Sequence, residues 1–362
     1  MQNSHKKNKK LRDKKPLYIL AGAIAFFGIF VYLITRPSIQ NIALKELETS
    51  YNKKDVETVW YKYKAELSED EEFLNATRSK LSSFKLSDDD LRYCQGWLPP
   101  APTSINIVVI PDLSGRINDN INNPDQVGND KLVLKTIWQS FINVSKLKQD
   151  SKDKFIVDVT DISQAKGQFG KVANQLQFDL STHKGKSNLL YFTDGKNKEF
   201  EKGINTMYDS AKAKPLGADY VFYLRRYLNS RLKKSTLFDN YLNKVLIVTD
   251  GYLEATGRSP DTKIYGFEKV LYPAVTFGNI LSIINLKQLN IPAVSVDLSN
   301  TQILICEVNE RKKGKGKDFE ILEVYWKDWM TKMGLKSENF KFIPREQASN
   351  ITENYIKNFI EN

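Results

Sequence analysis

A chain of 362 residues with 41% apolar content can bury one large core with accessories, and that content excludes an intrinsically disordered protein. The formal charge of +11 would suggest a nucleic-acid partner if it were spread over the body. Instead residues 1–16 hold Lys6, Lys7, Lys9, Lys10, Arg12, Lys14 and Lys15 against Asp13 alone, so the rest carries an ordinary solvated surface and no nucleic-acid binding is expected.

Leu17 to Thr35 (LYILAGAIAFFGIFVYLIT) is nineteen residues without a charge. At about 1.5 Å per residue, such a helix nearly spans a hydrocarbon core of about 30 Å. A cleaved signal peptide competes with this reading, but the run is longer than the usual apolar region of one. Ile34 to Ser38 also lacks a small-x-small cleavage site. Residues 17–35 are therefore read as an uncleaved transmembrane helix. Residues 1–16 become a basic cytoplasmic tail, and the C-terminal body lies outside the cytoplasm.

Residues 36–102 read as a helical stalk and a proline-rich linker. Val56, Val59, Trp60 and Tyr63 recur at helical spacing, as do Phe73, Leu74 and Leu81. Ser68 with Glu71 fits a capping box, and Ser87 precedes three aspartates as a plausible cap. Leu98 to Pro102 (LPPAP) holds the chain extended, and the domain boundary is placed there.

Residues 103–362 form the main domain. Ile105 to Arg116 (INIVVIPDLSGR) begins as a β-branched apolar run, the pattern of a strand buried on both faces, and ends in a short acidic and hydroxylic loop. Leu134, Ile137, Trp138, Phe141, Val144 and Leu147 make an amphipathic helix stripe, and Lys154 to Thr160 a second strand. Further strands are predicted at 176–180, 189–193, 244–249, 293–296, 303–308 and 340–343. Helices are predicted at 198–212, 217–233, 277–289, 318–333 and 348–360. The alternation specifies an α/β fold: a three-layer, doubly wound, mostly parallel sheet. Ligands of such sheets bind beyond the carboxyl ends of the strands.

Two more apolar runs end in aspartate, LLYFTDG at Asp194 and VLIVTDG at Asp250. In a parallel sheet Asp112, Asp250 and, with less support, Asp194 gather at one rim. Clustered carboxylates need a cation among them, and a hard divalent ion such as Mg, Ca or Mn with hydroxyl co-ligands is one solution. A turn before Gly195 is the favoured account of Asp194, and a turn also explains Asp297 and Ser299. The excursion from Gly251 to Leu289 carries Tyr252, Tyr265, Phe267, Tyr272 and Phe277 among glycines, which suits either a contact surface or a loop packed on its own sheet.

DLSG after the first strand, KPLGADY before a helix, and VLIVTDG together resemble the von Willebrand factor A-like domains. The resemblance covers roughly Ser104 to the C-terminus. It implies a doubly wound α/β fold with a metal-ion-dependent adhesion site, in which Asp112, Ser114 and Asp250 are the metal ligands carried over. The family's second serine is Arg116 here, and its threonine is Lys214. Two cationic side chains thus stand where two oxygen ligands are expected, and they can neutralise Asp112 and Asp250 without a metal. The implied ligand-binding set is Asp112, Ser114, Arg116, Lys214 and Asp250, taking a protein partner through a carboxylate.

His5 and His183 are the only histidines, which argues against histidine-rich zinc sites and hydrolytic triads. Gly185, Lys186 and Ser187 lack the preceding glycine of a phosphate loop, since Leu180 stands there. Cys94 and Cys306 are too few for a disulfide scaffold, and two independent thiols are favoured over one bridge. The reading is a non-enzymatic, membrane-anchored binding or assembly module. The alternatives are a Mg-dependent phosphoesterase using Asp112, Asp194 and Asp250, and a structural component of an envelope complex.

Overall fold

The computed structural model describes residues 37–148, 152–183, 186–216, 218–236, 238–253, 278–310, 317–346 and 349–362. The span at 17–35 and residues 254–277 of the long aromatic excursion lie outside these. Among the described residues no helix is long and apolar enough to cross a membrane. The chain divides into two compact units between Ser87 and Asp88, ahead of the proline-rich stretch.

The described part of the first unit is three helices: α1 (Ile39–Glu48), α2 (Lys53–Leu67) and α3 (Glu71–Ser82). Ser38, Asn52 and Asp70 cap them, each side chain accepting from a backbone N–H of the first turn. The cap of α3 is therefore Asp70 and not Ser68, whose own N–H still bonds to Lys64 O and closes α2. The apolar stripes meet in a small core in which Trp60 stacks on Phe73 with ring centroids 5.8 Å apart.

The second unit opens with α4 (Asp88–Gln95) and is built on six strands: β1 (Thr103–Pro111), β2 (Lys154–Val157), β3 (Gln177–Asp179), β4 (Asn240–Val248), β5 (Thr301–Val308) and β6 (Phe340–Pro344). Their order is β3-β2-β1-β4-β5-β6, parallel throughout except for β2 with β3, the arrangement of a Rossmann-like α/β sheet. The pleat sorts β1 by face. Ile105, Ile107 and Val109 join one core with α5 (Gln126–Lys146), α8 (Lys186–Ala213) and α12 (Ser349–Glu361). Val108 and Ile110 join a second core on the other side with α9 (Tyr220–Tyr223), α10 (Ile280–Leu286) and α11 (Asp318–Lys332). Two short helices, α6 (Ile162–Lys166) and α7 (Gln168–Val172), follow β2. In the first core Trp138 packs among Phe141, Phe155, Phe178 and Phe200, and its indole N–H donates to Asn197 Oδ1 at 2.7 Å.

Two predicted strands are absent. LLYFTDG lies inside α8, so Asp194 sits on a helix and not at the end of a strand. The competing signal is the longer one: Phe200, Ile204, Met207, Tyr208 and Ala211 recur at helical spacing and are all buried, and helix propagation adds a hydrogen bond for each residue fixed. Residues 293–296 form no strand either. Val294 is buried, but β4 and β5 already have a partner on both sides, so no central edge remains for another strand.

Candidate functional site

Parallel pairing of β1 with β4 sets Pro111 opposite Val248, and Asp112 N–H extends the ladder by donating to Val248 O at 2.9 Å. The two strands therefore deliver Asp112, Thr249 and Asp250 to one rim. Thr249 Oγ1 donates to Asp112 Oδ2 at 2.8 Å, and Ser114 N–H donates to Asp112 Oδ1 at 3.0 Å. Asp250 Oδ1 accepts from Tyr252 N–H at 3.3 Å. Gly251 turns the chain with φ +92, where a Cβ would stand 3.0 Å from Val308 Cγ1, and its carbonyl is held by the Trp326 indole at 2.8 Å.

Arg116 follows in a 3-10 turn (Gly115–Asn118) that sends its side chain inward, leaving it 1% exposed. Its Nη2 donates to Asp130 Oδ2 at 2.7 Å and to Val248 O at 3.0 Å, while Nε lies 3.3 Å from Asp112 Oδ2 without hydrogen-bond geometry. Asp130, on α5 and fully buried, also accepts from Gln126 Nε2 at 2.7 Å and Tyr208 Oη at 3.0 Å. Burial disfavours the charged form of the guanidinium. Asp130, then Asp112 and Asp250, outweigh it and raise its pKa above the ordinary value. Burial raises the Asp130 carboxyl against the pull of Arg116, and burial with Asp112 nearby raises the Tyr220 phenol.

Asp130 was not legible as a site residue. Its signal is its place four residues before Leu134, on the face that also carries Ile137 and Phe141, where a charge has to be buried. A further carboxylate stands close by. Glu307 near the end of β5 is 3% exposed and sits at φ +66, unusual for a side chain of its size; burial and Asp130 push its pKa up to about 7. Arg345 Nε, 3.8 Å away, pulls the other way.

Of the five residues expected to bind, Asp112, Arg116 and Asp250 converge and are buried, and Ser114 is half-buried above them. Lys214 does not join them. It is exposed after α8, beside Leu113, and lines a cavity of about 250 Å³. The three-aspartate set needed by a phosphoesterase does not form at the strand ends, because Asp194 is helical. Nor do the residues present fit a divalent metal, since the Arg116 guanidinium lies against Asp112 and Asp130 and occupies the position of the cation. Among the described residues no three acidic, histidine or cysteine side chains are arranged to hold a metal ion. Cys94 and Cys306 are buried and form no disulfide, and Ser299 closes its predicted turn onto Asp297 Oδ1.

No family model matches the chain, and no curated protein does. Among solved structures it is similar to the pilus adhesin SpaC from Lactobacillus rhamnosus GG, with 13% identity and a TM-score of 0.33, over 72% of this chain and 31% of that one. The chain thus spans about a third of the adhesin's chain.

Proposed function

We propose that the chain is a membrane-anchored binding or assembly module, in which a von Willebrand factor A-like domain uses an ion-paired rim where the family pattern has a metal. Residues 17–35 are the anchor, residues 1–16 the cytoplasmic tail, residues 36–102 the stalk and linker, and the domain of residues 103–362 stands outside the cytoplasm. The Asp112 and Asp250 loops after adjacent parallel strands support this reading. The observation that carries it is the Arg116 guanidinium seated against Asp112 and Asp130, a permanent positive charge where a cation is otherwise required.

Because Asp112, Arg116 and Asp250 are buried, contact with a protein partner falls to Ser114 and the exposed Gly115 above them and to Lys214 at the neighbouring cavity. The test is affinity capture from the native membrane with full-length Lys214→Glu and Gly115→Trp. Loss of the captured partner with an unchanged unfolding transition supports the reading. Undiminished capture by both variants contradicts it.

A structural role in an envelope complex has one observation in its favour: Ile39, Tyr51 and Tyr61 of the first unit are exposed at 49%, 88% and 49%. Deleting residues 37–87 while keeping the anchor separates the two, since only the structural role loses its partner.

A further inference from the structure

Beside the aspartate cluster the surface sinks into the 250 Å³ cavity, bounded by Leu113 of the first loop, Gln164 and Phe169 after β2, Met207 on α8, and Lys214 and Leu216 beyond it. Leu113, Phe169 and Met207 give it an apolar floor. Two donors stand around that floor. Lys214 is exposed and pairs with no carboxylate among the described residues, and Gln164 Nε2 is buried with no hydrogen-bond partner. A buried donor without an acceptor is penalised, and an incoming acceptor relieves the penalty. The framing segments 164–171 and 207–216 expose Lys166, Lys171, Lys212 and Lys214 against Asp209 alone, so the cavity lies in a positive field that draws anionic groups.

We infer that this cavity receives the C-terminus of a protein partner that ends in an apolar residue. The last side chain fills the floor, the terminal carboxylate meets Lys214, and a peptide carbonyl accepts from Gln164 Nε2. Capture of a terminal carboxylate is a recurrent mode of peptide recognition. Two donors flanking an apolar floor also match a peptide end, which offers acceptors at two places, better than a fatty acid, which offers them at one. The inference rests on the binding-module reading and adds the chemistry of the partner to it.

The full chain in detergent micelles is titrated with acetyl-Gly-Gly-Leu as the free acid, with its C-terminal amide, and with octanoate, and binding is followed calorimetrically. The free acid is expected to saturate the protein, with the amide weaker by roughly tenfold through loss of a charge-assisted bond. Lys214→Gln, an exposed change that leaves the core intact, should weaken the acid by a similar factor and leave the amide unaffected. Gln164→Ala should weaken acid and amide alike. Equal affinity for acid and amide, tighter binding of octanoate, indifference to Lys214→Gln, or no saturation at millimolar peptide would each overturn the assignment. Native capture lost in Gly115→Trp while the peptide fails to bind refutes the cavity alone. Peptide binding alongside undiminished native capture refutes the binding-module reading alone.

Discussion

Arg116 is a cation seated among the buried carboxylates Asp112, Asp130 and Asp250, and its removal should be felt as unpaired buried charge. Arg116→Met is expected to cost about 3–5 kcal/mol of unfolding free energy, measured in urea at neutral pH, because Asp130 loses its counter-ion in a site closed to water. A loss below about 1 kcal/mol, the scale of a solvated surface pair, would contradict the geometry. Glu307 supplies a pH signature. Its carboxyl titrates near 7 folded and near the ordinary 4.5 unfolded, so between these values the folded chain holds a proton that the unfolded chain has released. Stability should therefore fall as pH rises through that window, by up to about 3 kcal/mol, and Glu307→Gln should flatten this slope. An identical slope in the variant would place the titration elsewhere. At this scale the placement of Asp112 and Asp250 at one rim was legible because a strand-ending aspartate is a local pattern. Asp130 was not, since a charge in an amphipathic helix reads as its wet face until the partner on another element is known.

Between elements, the contrast of LLYFTDG with VLIVTDG shows how much a short apolar run leaves undecided. VLIVTDG ends in a glycine turn at φ +92, and its Val245 to Val248 pair with both β1 and β5. LLYFTDG is followed instead by a buried stripe at 3.6-residue spacing, and the helix extends back through it. Gly195 is exposed in the middle of α8 with nothing within 4 Å of an added Cβ. Gly195→Ala should accordingly stabilise the protein by about 0.5–1 kcal/mol. Destabilisation by a comparable amount would favour a strand ending in a turn at that point. The mostly parallel sheet was otherwise readable from the alternation of periods, and the antiparallel β3 was not, because strand direction leaves no mark in a three-residue run.

Across the whole molecule the sheet explains why residues 112 and 250 become neighbours: β1 and β4 lie side by side at its centre and run the same way. Helices on both faces bury that centre, and the rim at its carboxyl end is left to the loops. A guanidinium in that rim supplies the positive charge permanently, so partner binding should be independent of divalent ions. The most direct test is a calorimetric titration of the full chain with Mn²⁺, Mg²⁺ and Ca²⁺. An absence of saturable binding at millimolar ion is the predicted result, and binding of any of the three at micromolar concentration would contradict the account.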